Sequence, residues 1–184
     1  MDWQTLLLEH WPIKFAAAVM LLAYVIDAKV LKVPNWLTYP FIVAGFVFHL
    51  CAPGGHGLGF ALAGFAMGLA SLMPLYVIGG MGAGDVKLMT GTGTWVGFWL
   101  MLDASLAGIL VGGIMGLVMI LVSGRWRHHL SMCGVILKDI WTLRDPWKIA
   151  EKATDRKPTM TLLPYGVPVC IGAIGAFQMH GVLF

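Results

Sequence analysis

Long apolar stretches, separated by short polar or glycine-rich segments, dominate the 184-residue chain. A membrane-spanning helix needs about 20 mostly apolar residues, and the pattern predicts six such spans. They cover residues 11–28, 36–52, 57–78, 85–102, 104–122 and 161–184. Only Asp103 separates the fourth span from the fifth. We therefore predict an all-α fold, a polytopic membrane helix bundle of about six transmembrane helices, with residues 1–184 forming a single domain.

The composition points to the same class of protein. Residues of the set AVILMFWYC make up 59% of the chain, and charged residues only 11%. Soluble proteins carry about 25% charged residues, and a chain of this size cannot enclose so much apolar surface in a water-soluble core. These proportions exclude a soluble monomer and a disordered chain. The predicted partner is the lipid bilayer, and a net charge of only +3 gives nucleic acid no support as a partner.

The positive charges predict how the chain is oriented. With six spans and the N-terminus outside, eleven of the twelve lysines and arginines lie on the cytoplasmic side. Only Lys14 lies on the other side. Because lysine and arginine are enriched in cytoplasmic loops, we predict a multi-pass protein of the inner (cytoplasmic) membrane with its N-terminus outside.

The longest predicted cytoplasmic connection is the basic segment 124–160. Its apolar residues recur at helical spacing among lysines and arginines, namely Trp126, Leu130, Cys133, Leu137 and Ile140. This pattern favours an amphipathic helix lying on the anionic leaflet. The alternative is a solvated loop that only stops translocation.

Glycines at four-residue spacing occur in three of the predicted spans. The third contains Gly64 and Gly68, the fourth Gly93 and Gly97, and the fifth Gly108, Gly112 and Gly116. Small residues at this spacing allow helix backbones to approach closely in lipid. We expect close helix packing at these positions and infer no chemistry from them.

Two aspartates are predicted at the same depth on the cytoplasmic side. Asp27 ends the first span, and Asp85 lies where a glycine-rich turn enters the fourth. An ionisable residue at membrane depth costs ~2.5–3.5 kcal/mol on insertion scales and usually has a function. The structural alternative is that both are interfacial residues that reach water at helix ends. Finding two at one depth weakens that alternative, because a bundle can bring them face to face.

A pair of carboxyl groups suits peptide hydrolysis. An ionised carboxylate can take a proton from water, while a protonated partner polarises the scissile carbonyl and later protonates the leaving amine. Gly82 and Gly84 leave room for an extended substrate beside Asp85, although a flexible turn would use glycine as well. Lys87 either points into the site or reaches the lipid headgroups, and the sequence leaves both open.

Three segments resemble a known family. Residues 82–89, GAGDVKLM, resemble the GxGD motif of the prepilin peptidases (type IV leader peptidases). Residues 27–38 are similar to the family's first motif, in which an aspartate ends the first helix and a Pro-Asn turn follows, with Val33 here in place of isoleucine. Residues 163–168, LPYGVP, are similar to the family's entry into the last helix.

The resemblance implies an aspartic endopeptidase that cleaves the leader from prepilin or pseudopilin substrates at the cytoplasmic membrane face. Asp27 and Asp85 match the two catalytic aspartates. The residues expected to shape the site or bind substrate are Pro34, Asn35, Gly82, Gly84 and Lys87. We expect no cofactor and no metal.

Larger family members carry an insert with paired CxxC motifs that binds zinc, and they methylate the new pilin N-terminus. The three cysteines here form no CxxC pair. We therefore expect the short, peptidase-only form found with Tad/Flp pilus systems, without methyltransferase activity.

Other functions remain open from the sequence. The short form also resembles preflagellin peptidases. A transporter would use the two aspartates as proton or cation sites, and a structural subunit of a secretion assembly would use them only for packing. The sequence also leaves open whether the protein forms a homo-oligomer.

Overall fold

The computed structural model describes residues 11–30, 33–52, 55–78, 80–122 and 166–183. The predicted interfacial helix within 124–160 lies outside the described residues. The first residues of the sixth predicted span, 161–165, lie outside them as well.

Five helices make up the described part of the chain. They are α1 (Trp11–Val30), α2 (Asn35–Cys51), α3 (Leu58–Val77), α4 (Ala83–Val122) and α5 (Gly166–Met179). The prediction of an all-helical fold is confirmed for these ranges. The bounds of α1, α2 and α3 lie close to those of the first three predicted spans, because each helix follows a mostly apolar run.

The surface of the helices has the apolar character expected of a membrane protein. Helices α3 and α4 are long and apolar enough to span a bilayer, and α2 and α5 are apolar but shorter. Large apolar side chains point outward, with exposed fractions of 64% for Leu50, 66% for Leu110 and 82% for Val122. Lipid solvates such a surface better than water does. The number of membrane crossings and the orientation remain predictions.

Gly97 divides α4 into two segments, which corrects the boundary predicted at Asp103. Gly97 has φ 77° and ψ −177°, a backbone conformation found almost only in glycine. Asp103 instead lies inside the helix, and its Oδ2 is 2.8 Å from His180 Nε2 near the end of α5. Asp103 is the more conspicuous residue in the apolar run, but the backbone conformation at this break is one that glycine adopts and residues with a side chain rarely do.

The segment of α4 that follows Gly97 runs back along α3. Before the break, Gly93 packs against Gly64 of α3. After the break, Gly112 lines a cavity together with Leu72 and Leu75, which lie closer to the C-terminal end of α3. The chain therefore reverses direction at Gly97, and the described residues form six helical segments.

Gly97→Ala is expected to destabilise the protein by about 1–3 kcal/mol, the cost of a residue held in a rarely populated backbone conformation. A Cβ at this position would also overlap the ring of Phe60. Thermal unfolding in detergent measures the effect. Gly113→Ala is the matched control in the same helix, because nothing lies within 4 Å of its Cβ position and alanine favours helix. Equal unfolding midpoints for the two variants would contradict this account of the break.

Hydrogen bonds at Trp95 join α2 to α4. The Trp95 indole donates to the Phe41 carbonyl oxygen at 3.0 Å. The backbone N–H of His56 donates to His49 Nδ1 at 3.2 Å, so the ring proton of His49 is on Nε2. This nitrogen donates to the Trp95 carbonyl oxygen at 3.3 Å. His49 is therefore a buried packing residue whose two ring nitrogens are both hydrogen-bonded.

Close contacts between a glycine and the backbone of a neighbouring helix occur in two helix interfaces. A Cβ at Gly64 would overlap the carbonyl oxygen of Gly93, and a Cβ at Gly172 of α5 would overlap the backbone of Gly108. The predicted close packing is thus present between α3 and α4 and between α4 and α5. Gly116 differs, since nothing lies within 4 Å of its Cβ position and it lines the cavity instead.

Candidate functional site

Asp27 is a buried carboxylate near the C-terminal end of α1. Its helix ends at Val30, so the side chain lies within the last turn. Only 7% of the residue is exposed. A buried carboxyl group is rare in proteins unless it is paired or functional, which marks this position as more than a helix end in water.

Asp85 is the third residue of α4, at the same end of the bundle. It is 8% exposed, and its Oδ1 atom is fully buried without a hydrogen-bond partner. The other oxygen, Oδ2, faces Gly82, where a Cβ would lie 3.2 Å from it. The glycine before α4 thus lets the main chain approach the aspartate closely.

The two carboxyl groups meet at Gly166, the first described residue of α5. A Cβ placed on Gly166 would lie 3.0 Å from Asp27 Oδ2 and 3.3 Å from Asp85 Oδ1. The two oxygens are therefore no farther apart than the sum of these distances. Three helices, α1, α4 and α5, contribute one residue each to this point.

Gly84 brings the turn before α2 against the first turn of α4. A Cβ on Gly84 would lie 3.0 Å from the Val33 Cβ and 3.3 Å from the Val33 backbone nitrogen. The next residue, Pro34, caps α2, and its carbonyl oxygen accepts hydrogen bonds from the backbone N–H groups of Leu37 and Thr38. The turn therefore lies beside Gly84, the residue before Asp85.

Lys87 is directed towards α2. Its ammonium group donates to Asn35 Oδ1 at 3.0 Å and to the Tyr39 hydroxyl oxygen at 3.1 Å. It also lies 5.0 Å from the centroid of the Tyr39 ring, within the range of a cation–π contact. Lys87 and Asn35 thus act together to hold α2 against α4 at the edge of the site.

The sequence analysis missed two residues of this site. Tyr39 follows Asn35 by one helical turn and so shares its face, a signal that was available. Gly166 belongs to a segment quoted only for its resemblance, and no spacing in the sequence connects it to either aspartate. Five of the predicted site residues, Pro34, Asn35, Gly82, Gly84 and Lys87, lie around the aspartates or at the edge of the site.

The chemistry of the site is that of a carboxyl pair. Carboxyl groups placed side by side do not both ionise easily, and such a pair can share a proton. One group can then act as a base and the other as an acid. Among the described residues, no three His, Cys, Asp or Glu side chains come together as a metal site would require.

The part of the chain that contains both aspartates is similar to known proteins. A model of the type IV leader peptidase family matches residues 14–117, a range that contains Asp27 and Asp85 but not Gly166. The chain is 35% identical over 113 residues to a prepilin leader peptidase/N-methyltransferase of Aeromonas hydrophila. It is 36% identical over 114 residues to a protein of the same description from Aeromonas salmonicida (strain A449).

Each of these alignments covers 58% of the present chain and 38% of the relative. The chain therefore matches well under half the length of these two proteins. No solved structure matches the chain significantly.

Proposed function

Since this chain belongs to the type IV leader peptidase family, we propose that it is a membrane aspartic endopeptidase. Its substrates are type IV prepilins, from which it removes the leader peptide. The observation that carries the proposal is the meeting of two buried carboxyl groups, Asp27 and Asp85, at a single glycine. Both aspartates lie within the part of the chain that the family model matches.

The proposed reaction uses the two carboxyl groups in complementary protonation states. The ionised carboxylate takes a proton from water as the water oxygen bonds to the carbonyl carbon of the scissile peptide. The protonated partner hydrogen-bonds the carbonyl oxygen and then gives a proton to the leaving nitrogen as the C–N bond breaks. The products are the free leader and a pilin with a new amino terminus, and the proton taken from water restores the pair.

The proposed location of the site is the cytoplasmic face of the inner membrane. Asp27 and Asp85 lie at one end of the bundle, and the six helical segments allow six crossings with the N-terminus outside. This arrangement leaves nearly all lysines and arginines of the sequence on the side of the aspartates. The apolar helix of a prepilin would then lie in the bilayer beside the bundle, with its basic leader in the cytoplasm.

The finer proposal for the substrate is a Flp-type prepilin, cleaved without methylation of the new N-terminus. It rests on the sequence, in which no two cysteines form a CxxC pair. The relatives are described as having both activities, so the substrate and the methylation state require direct measurement.

We expect membranes that contain this protein to remove the leader from a co-expressed Flp-type prepilin. The measurement is the mass of the pilin, which reports leader loss and any added methyl group in one spectrum. Membranes without the protein are the control, and a pseudopilin and a preflagellin are run in parallel. Cleavage of the preflagellin alone would identify the protein as a preflagellin peptidase instead. Failure to cleave any precursor, with the folded protein present, would contradict the peptidase function.

A further inference from the structure

Gly166 lies against both carboxyl groups. The three atoms nearest to a Cβ at this position all belong to the aspartates, namely Asp27 Oδ2 at 3.0 Å, Asp85 Oδ1 at 3.3 Å and Asp27 Cγ at 3.7 Å. A methyl group would therefore enter the space directly in front of both carboxyl groups. Contacts of 3.0–3.4 Å are tighter than most real Cβ contacts, so the carboxyl groups would have to move.

Two other glycines of α5 have different surroundings. The atoms nearest to a Cβ on Gly172 are backbone atoms of Ala107 and Gly108, so that glycine serves helix packing. Nothing lies within 4 Å of a Cβ on Gly175. Gly166 alone among these three faces ionisable side chains, and helix packing does not explain it.

Backbone conformation does not explain a glycine at position 166 either. The residue is helical, so alanine would be compatible with its backbone and would favour the helix. The property that remains is the absence of a side chain, which would meet the carboxyl groups.

The unpartnered oxygen of Asp85 indicates that the contact at Gly166 is more than helix packing. Asp85 Oδ1 is buried, has no hydrogen-bond partner and lies on the side of Gly166. Buried polar atoms in proteins are nearly always hydrogen-bonded, and an unsatisfied one is costly.

We propose that Gly166 is a positioning residue, whose lack of a side chain lets α5 pack against Asp27 Oδ2 and Asp85 Oδ1 and so sets the distance between the two carboxyl groups. This inference rests on the proposed peptidase function. A side chain at position 166 pushes the carboxyl groups apart.

The test compares three single substitutions in α5. Gly166→Ala is expected to lower kcat about 100-fold, the effect of a small misplacement of reacting groups, with KM changed less than about twofold and the unfolding midpoint unchanged. Gly175→Ala should behave as wild type. Gly172→Ala should lower the unfolding midpoint but leave kcat per folded molecule unchanged. Wild-type kcat in Gly166→Ala, or a loss that only follows the folded fraction, would overturn the proposal.

A second readout does not depend on turnover. The infrared carboxyl bands of the pair are assigned with Asp27→Asn and Asp85→Asn and then compared between Gly166→Ala and Gly175→Ala. A shift in Gly166→Ala only is the expected result, and unshifted bands would contradict the inference. If wild type cleaves no precursor while these bands still shift, the peptidase function fails and the contact of position 166 with the carboxyl pair stands.

Discussion

Replacement of either Asp27 or Asp85 with asparagine is expected to lower leader cleavage about 100- to 10,000-fold, the usual contribution of a positioned acid or base. An amide has nearly the shape of a carboxyl group but can neither take a proton from water nor give one to the leaving amine. Both residues are buried and face Gly166, so the amide fits without new exposure. The measurement is the initial rate of leader loss in membranes with equal amounts of folded protein.

Asp103→Asn is the matched control for this pair. Asp103 undergoes the same chemical change, but it is 46% exposed and pairs with His180 away from the other two aspartates. Exposed ion pairs contribute little, so cleavage should remain at the wild-type rate. Cleavage that survives Asp27→Asn or Asp85→Asn would refute the two-aspartate mechanism. Cleavage lost equally in all three variants would indicate a general effect on folding.

Gly64→Ala is expected to have the largest effect on assembly of the bundle. A Cβ at position 64 would overlap the carbonyl oxygen of Gly93, and a Cβ on Gly93 would overlap that of Gly64. The obstacle is backbone on both sides, so no side chain can rotate out of the way. Overpacking of a core costs about 1–3 kcal/mol, and a rigid backbone contact is expected at the upper end. The unfolding midpoint in detergent should fall accordingly.

Gly59→Ala is the control in the same helix. Nothing lies within 4 Å of its Cβ position, and alanine favours helix over glycine, so the unfolding midpoint should stay at the wild-type value or rise. If Gly64→Ala unfolds at the same temperature as Gly59→Ala, α3 and α4 do not pack at Gly64 and Gly93.

The aspartate pair could be found from the sequence because each carboxyl group interrupts an apolar run. Counting spans then placed Asp27 and Asp85 at one depth, and the structure brings their oxygens to a common neighbour. Of the two residues that accept hydrogen bonds from Lys87, the sequence analysis named Asn35 but not Tyr39. A tyrosine near the end of a predicted span is common in membrane proteins, so its residue type alone did not mark Tyr39 as a site residue.

The reversal in α4 shows where the sequence reading was wrong. Asp103 was chosen as the boundary because it is polar, and Gly97 was assigned to packing because of its spacing from Gly93. In the structure Gly97 does both, since it lies beside Gly64 and adopts a positive φ. Spacing alone cannot distinguish a glycine needed for its backbone angles from one needed for its size.

The sequence by itself determined that the chain is helical and apolar, where α1, α2 and α3 run, and which two carboxyl groups are the candidates for chemistry. These properties depend on runs of neighbouring residues and on the cost of charge in an apolar setting. Only the tertiary structure decided that Gly166 lies against both aspartates, that Lys87 binds Tyr39 and that the chain turns at Gly97. Each of these depends on distances between atoms of separate helical segments, which the packing of backbones sets and which no local pattern of residues encodes.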